Sequence, residues 1–370
     1  MTNEKTTPKE YSVSAAELLR EIPKLSERGI TEFYVHDDAV ARDKKTLLSV
    51  LNKASETEDI FFTVRAYASA LDRDVVSAAQ NVNCSLEIAL EGTVKGGDGA
   101  RDAKQGARSG RDTRDAKQGA RSGHDTCNAK QGPALLFDKK LYSSKARLLN
   151  EAELVFGFDM AWALQKGDTF KAFRDRLDFA VSLYPNHIEF AQFAGGEEEI
   201  FPAPTGVFSS KDIDFARGMA FACRTFYTAG RAVPWFNAVL SALRIMPSAF
   251  FADFDEWQQC NNCSMDTGFV PEDVPHSEIE KMQLKFLEQK FLEKHKGELY
   301  TAVSDLVRLH GAFSRLAEEG EECVLETNYN PDDILSPYAM NLASFTENVT
   351  MESCSVRVFN NGGMPDYKIL

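Results

Sequence analysis

The 370-residue chain is 43% hydrophobic and 11% aromatic, with 26 Phe, so it can fill a sizeable core and wholesale disorder is excluded. Its formal charge of −14 argues against a general nucleic-acid binder, because phosphate backbones need clustered Lys and Arg. Seven dispersed cysteines, an odd number, do not read as a disulfide framework. The first residues, MTNEKTTPKEY, lack the apolar stretch of a secretory signal. No run approaches the ~18 apolar residues of a membrane helix, so a cytoplasmic protein with no membrane segment is expected.

Taken in order, the elements alternate. A helix over 14–28, with Leu18, Leu19, Ile22 and Leu25 on its apolar face, precedes a strand over 31–37 (TEFYVHD). A helix at 44–54 leads to a strand at 60–65 (IFFTVR), and a helix at 72–81 to a strand at 84–90 (CSLEIAL). Two more pairs follow: helix 139–150 with strand 154–160 (LVFGFDM), and helix 169–183 with strand 187–193 (HIEFAQF). Strands separated by helices of this length predict right-handed parallel β-α units.

The segment between the third and fourth strands breaks this rhythm. Residues 101–113 read RDAKQGARSGRDT, 114–126 repeat them as RDAKQGARSGHDT, and a third copy starts at Cys127 and stops at Gly132. The repeat holds no large apolar residue and cannot bury a face, so 95–132 is expected to be a disordered insert in a surface loop. Its local charge is +4, from nine Lys and Arg against five Asp, but no aromatic is present for base stacking.

In a parallel sheet, function gathers where the strands end at their carboxyl side. Asp37 and Asp38 follow the first strand, Arg65 the second and Glu91 the third, while Asp159 and Gln192 lie near the ends of the fourth and fifth. Together they outline the mouth of a site. His36, among apolar residues of the first strand, reads as a hydrogen-bonded rim or core histidine rather than a base.

The strings FYVHDDAVARDKK, CSLEIALEGTVKGG and ALLFDKKLYSSKARLLNEAELVFGFDMAWALQKGDTFKAFRDRLDFAVSLYPNHIEFAQF resemble, in this order, the barrel of the radical S-adenosylmethionine superfamily, in particular the cobalamin-dependent type. The resemblance spans residues 12–200. It implies a partial (β/α) barrel of about five parallel strands at 1–200. A mostly helical extension would follow at 201–320, with a segment of short strands at 321–370. It implies S-adenosylmethionine and a [4Fe–4S] cluster as cofactors. Asp37 and Asp38 would meet the methionine part, Arg65 and Glu87 would lie near its carboxylate or ribose, and Glu91 would sit at the same mouth. Asp159 and Gln192 would face substrate.

The family's cluster is held by Cys-x-x-x-Cys-x-x-Cys after the first barrel strand, and this sequence contains no such triplet. The resemblance therefore places the chain as an amino-terminally truncated form starting just after that motif. Cys260 and Cys263 form a CxxC with metal-ligand spacing, and His276 and Cys223 are the nearest further ligands in sequence. The competing reading is two ordinary thiols on a polar loop. Three functional readings stay open: a family member unable to build its cluster alone, a non-catalytic interaction module, or one half of a split enzyme completed by an upstream polypeptide.

Overall fold

In a computed structural model, residues 15–26, 28–57, 60–94, 135–163, 167–193 and 202–370 are described. The 13-residue repeat lies outside them. The first half runs α1 (Ala15–Ser26), β1 (Glu32–Val35), α2 (Asp38–Arg42), α3 (Lys44–Ala54), β2 (Phe61–Tyr67), α4 (Arg73–Ala79) and β3 (Cys84–Ala89). Two short strands, β4 (Thr93–Val94) and β5 (Leu135–Leu136), then pair antiparallel, Val94 opposite Leu135. After them come α5 (Lys139–Glu151), β6 (Val155–Met160), α6 (Phe170–Val181) and β7 (His187–Phe190). Acidic and hydroxyl side chains set where these helices begin. Asp37, Asp43, Asp72, Asp138 and Thr169 each accept a hydrogen bond from first-turn amides of the following helix.

The five longer strands form one sheet in the order β1-β2-β3-β6-β7, every pair parallel, as the sequence predicts. The fold is α/β, with a helical extension after the sheet. Strand periodicity divides the sheet into two chemically different faces. On one face the register aligns Val35, Val64, Leu86 and Phe156, then Ala66, Ile88, Phe158 and Ile188, and all are buried in a single hydrophobic cluster with α3 to α6. On the other face, Arg65, Glu87, Gly157 and His187 align in one row, and Tyr67, Ala89, Asp159 and Glu189 in the next. Buried charges survive only where partners meet them, so this second face is where the chemistry lies.

The extension begins with α7 (Ser210–Cys223), fixed by a capping box between Ser209 and Asp212. It passes directly into a π-helical turn, Arg224–Ala229, and then α8 (Phe236–Leu243), α9 (Pro247–Cys260), α10 (His276–Glu293) and α11 (Tyr300–Glu319). Phe226, inside the π turn, is fully buried, with ring centroids 4.8 Å from Phe250 and 4.9 Å from Phe254. The abundance of Phe is thus used to seat the irregular turn in a ring cluster, which adds edge-to-face attraction to area burial. The last segment holds β8 (Cys323–Thr327), α12 (Pro331–Ile334), α13 (Leu342–Asn348), β9 (Cys354–Asn361) and β10 (Met364–Ile369). Its three strands form an antiparallel sheet whose β9 and β10 contact α11. The two short helices between the strands add to what the sequence predicts there.

Candidate functional site

Side chains at alternate positions of five strands converge on the polar face. Arg65 occupies its middle. Its Nη2 lies 2.9 Å from Asp159 Oδ2 and its Nη1 3.5 Å from Asp38 Oδ1, while its Nε is buried with no partner. Beside it, His36 Nε2 lies 3.1 Å from Glu87 Oε2. The pair shifts in a consistent sense. The hydrogen bond to Glu87 raises His36 despite burial, and Glu87 falls below the ordinary range because His36, His187 and Arg65 outweigh its own burial. Asp159 moves up instead, because burial and the charges of Glu87 and Glu91 outweigh Arg65 and His36.

Nearer the strand ends, the Tyr67 hydroxyl lies 3.2 Å from both Asp38 Oδ1 and Glu91 Oε1. It holds one proton and serves only one carboxylate at a time. Arg42 donates to the same oxygen and lies with its Cζ 3.7 Å from the ring centroid. Burial, then Glu91 and Asp38, push the Tyr67 hydroxyl up to about 12, so it stays protonated at neutral pH. Tyr142 tightens the end of β3, donating to the Ala89 carbonyl at 2.9 Å.

Towards β7 the face becomes drier. His187 is lowered by burial, and its ring lies over Gly157, where an added Cβ would stand 2.2 Å from the imidazole. Glu189 is pushed up to about 7 by burial, with Glu87, Glu272 and Asp159 adding to the rise against Arg224. Glu189 also lines a cavity of about 370 Å³ that Arg231, Glu272 and His276 share. The π turn forms the adjoining wall. Thr228 Oγ1 accepts from the Ile188 amide at 3.1 Å, and Arg224 Nε lies 2.6 Å from Glu272 Oε1. Single π turns recur at functional sites because the extra residue re-aims side chains without ending the helix. Here it brings Arg224 within electrostatic reach of Glu189.

A deeply buried pair ties Ala161 and Asp168 to α6. Arg176 Nη1 and Nη2 lie 2.8 and 3.0 Å from the two Asp168 oxygens, and Nη2 also donates to the Ala161 carbonyl at 2.8 Å. Both side chains are under 5% exposed, so the fork–fork geometry and the carbonyl must replace their hydration.

Of the residues singled out in the sequence, Asp38, Arg65, Glu87, Glu91 and Asp159 are brought together. Asp37 stands next to them, but its carboxylate is engaged as the α2 cap, accepting from Ala39 N at 2.8 Å and Val40 N at 3.0 Å. Gln192 is buried and donates to the Trp162 carbonyl at 2.7 Å, leaving its Oε1 without a partner. Sequence reasoning did not single out His187, Glu189 and Tyr67 as site residues. The strict alternation in FFTVRAY, CSLEIA and HIEF carries them to the same face as Arg65, and that period-two pattern is the signal that finds them.

Among the described residues no three His, Cys, Asp or Glu side chains converge on a metal-binding position. Cys260 is exposed and Cys263 is buried, its thiol directed at the Gln258 carbonyl 3.6 Å away. Cys223 is fully buried. His276 is engaged elsewhere: Arg315 Nη1 lies 3.1 Å from its Nδ1, and its Nε2 lies 3.3 Å from the Gly230 carbonyl. Burial and the Arg231 charge take this imidazole down to about 4, so it is neutral, and a neutral ring accepting at Nδ1 donates from Nε2. The described thiols therefore do not fit a three-thiolate cluster.

No family model matches this chain, and no curated protein matches it. Among solved structures, two of the radical S-adenosylmethionine methyltransferase TsrM from Kitasatospora setae align with 48% of this chain at 13% identity and a TM-score of 0.30. One holds tryptophan and a SAM analogue, the other cobalamin and a [4Fe–4S] cluster. The chain covers 30% and 28% of those proteins, less than a third of their length.

Proposed function

We propose that the polar face of the sheet binds S-adenosylmethionine, and that the chain is a radical S-adenosylmethionine family protein whose own cysteines do not assemble the [4Fe–4S] cluster. One observation carries the reading: Arg65, with a buried and unpartnered Nε, is held between Asp38 and Asp159 on a face that also presents Glu87, Glu91 and Glu189. Five carboxyls against the guanidinium groups of Arg42 and Arg65 suit a ligand that is cationic overall yet bears one carboxylate. S-adenosylmethionine has that balance, since it carries a sulfonium, an ammonium and a carboxylate. When bound, it supplies an activated carbon–sulfur bond.

In this reading the partly exposed Arg65 guanidinium takes the ligand carboxylate, and Asp38 and Asp159 meet the ammonium. Glu87, fixed by His36, accepts from ribose hydroxyls. Tyr67, donating to either Asp38 or Glu91, and Arg42, donating to the Tyr67 oxygen, moderate the repulsion between the two carboxylates. Asp37 supports the site indirectly by starting α2, which carries Asp38 and Arg42. In the same reading Asp159, near the end of β6, faces substrate, while Gln192, buried just past β7, supports the wall behind it through the Trp162 carbonyl. Support for the family comes from the ordered sequence segments and the five-stranded parallel sheet.

Calorimetric titration of the whole chain with S-adenosylmethionine tests the site. Saturable binding on the order of micromolar to hundreds of micromolar is expected, weakened at least about tenfold by Arg65→Ala. No binding at millimolar ligand, or equal binding by the variant, sinks the assignment. Anaerobic reconstitution with iron and sulfide tests the cluster statement separately. Stoichiometric iron and sulfide held by the chain alone would overturn it. A second reading, one half of an enzyme completed by another polypeptide, has β1 in its favour, since among the described residues its outer edge pairs with no strand. In that case, co-expression with a polypeptide bearing the three-cysteine motif yields a complex, and disrupting β1 with Tyr34→Pro abolishes it.

A further inference from the structure

On the far side of α6, away from the polar face, α6, α7 and α9 enclose a cleft of about 560 Å³. Its volume falls within the range of small-molecule sites. We propose that this cleft binds an organic cation with an apolar or flat body, held between a phenylalanine pair and the carboxylates of Asp255 and Glu256.

Two aromatic rings form one side of the cleft. Phe170 of α6 and Phe215 of α7 have centroids 6.1 Å apart at 33°, and Phe215 is 50% exposed, unusual for so large an apolar side chain in a helix that is otherwise well packed. Met219, 3% exposed, lies one turn further along α7 and also lines the cleft. Three soft apolar groups thus line one part of the cavity.

The acidic wall comes from α9. Asp253, Asp255 and Glu256 all line the cavity, but they are not equivalent. Asp253 lies 2.7 Å from Lys290 and is neutralised there. Among the described residues Asp255 accepts from the Gln259 amide at 2.9 Å and neither it nor Glu256 is in ion-pair contact with a cation, while Arg217, paired with Asp266, acts on Asp255 at longer range. Among the described residues Arg174 is the one Lys or Arg lining the cleft, and it is held back against α6 and the start of α9, with its Nε 3.2 Å from the Ser248 hydroxyl and its Cζ 5.9 Å from the Phe170 centroid. Two carboxylates remain for a ligand.

The position of Asp255 is set by the backbone opposite. A Cβ on Gly218 of α7 would stand 2.3 Å from Asp255 Oδ2, so only glycine there lets the carboxylate lie against that helix. Burial raises Asp255 to about 6, which leaves it ionised at neutral pH but poorly hydrated. A poorly hydrated carboxylate next to aromatic faces is the pairing that recognises ammonium or guanidinium groups, through charge on one side and ring quadrupoles on the other. A second cavity of about 150 Å³ shares Asp255 and Gln259 and adds Asp214, Asp266 and Arg217, with Arg217 3.5 Å from Asp266, so acids outnumber cations there three to one.

The cation could be a free amine or an arginine side chain of another polypeptide. Calorimetry on the whole chain separates these with two probes, benzyltrimethylammonium and the peptide acetyl-Gly-Arg-Gly-amide, with benzyl alcohol as the neutral control. Saturable binding of at least one cationic probe is expected, together with benzyl alcohol binding at least about tenfold more weakly. Binding of the small cation alone assigns a free amine; binding of the peptide alone assigns a side chain. Asp255→Asn and Phe215→Ala should each weaken binding about fivefold or more, and the half-exposed Phe215 can be truncated without opening the core. The proposal is overturned if neither cation binds saturably, if benzyl alcohol binds as tightly, or if both variants bind like the wild type.

Discussion

Replacing Glu189 by Gln should relieve a loss of stability that the wild type suffers as pH rises. The carboxyl ionises near 4.5 in water but is held at about 7 in the fold, first by burial, against the Arg224 charge and with Glu87, Glu272 and Asp159 reinforcing the rise. The folded state therefore keeps its proton longer than the unfolded chain does. The stabilisation this provides is fully present below 4.5 and is lost as pH rises through about 7. At about 1.4 kcal/mol per pH unit, the interval from 4.5 to about 7 corresponds to about 3 kcal/mol. Gln keeps the shape and hydrogen-bonding capacity but never ionises. Denaturant melts of both proteins at about pH 4.5 and about pH 8 should show the variant gaining about 2–3 kcal/mol on the wild type between the two, with no further change above that. A stability difference that is the same at both pH values would refute the reasoning, since the carboxyl would then ionise in the fold as readily as in water.

Asp168→Ala strands the Arg176 guanidinium, buried with its partner at 4% and 2% side-chain exposure, and should destabilise by about 3–5 kcal/mol in a denaturant melt. An added Arg176→Met should recover part of that loss, because the uncompensated charge goes with it. Gly230→Ala places a Cβ 2.2 Å from the Phe226 carbonyl at the end of the π turn. The backbone must shift, so a loss of about 1–3 kcal/mol is expected by the same measurement. Histidine NMR titration should place His36 above its ordinary 6.5 and His187 below it, and Glu87→Gln should bring His36 down while leaving His187 low. Because the Glu87 partner raises His36, the stability from that pair is present below about 6.5 and fades as pH rises through the folded value.

What the sequence determined by itself is the periodicity and its punctuation. Alternation in FFTVRAY and CSLEIA sets an apolar row (Phe62, Val64, Ala66; Cys84, Leu86, Ile88) against a row that carries Thr63, Arg65, Ser85 and Glu87, and 3.6-residue spacing with Asp or Thr caps dictates the helices between them. Parallel order follows, because helices of that length return each strand in the same direction. The placing of Asp38, Glu91 and Asp159 near strand ends was equally legible, since it depends on position along a strand alone, whereas β2 runs on to Tyr67 and leaves Arg65 inside the strand rather than at its end. The tertiary structure decided which of them meet. Sheet register sets Arg65 beside Glu87 and Asp159 beside Glu189, and no local signal fixes a register between strands separated by a helix. Likewise, Asp37 and Asp38 are adjacent in the chain, yet one caps a helix while the other faces Arg65 and Tyr67. The titration of Glu189 depends on burial beneath the π turn and on charges from β3, β6 and the extension. Desolvation is a property of everything packed around a group, so it emerges only when the distant segments assemble.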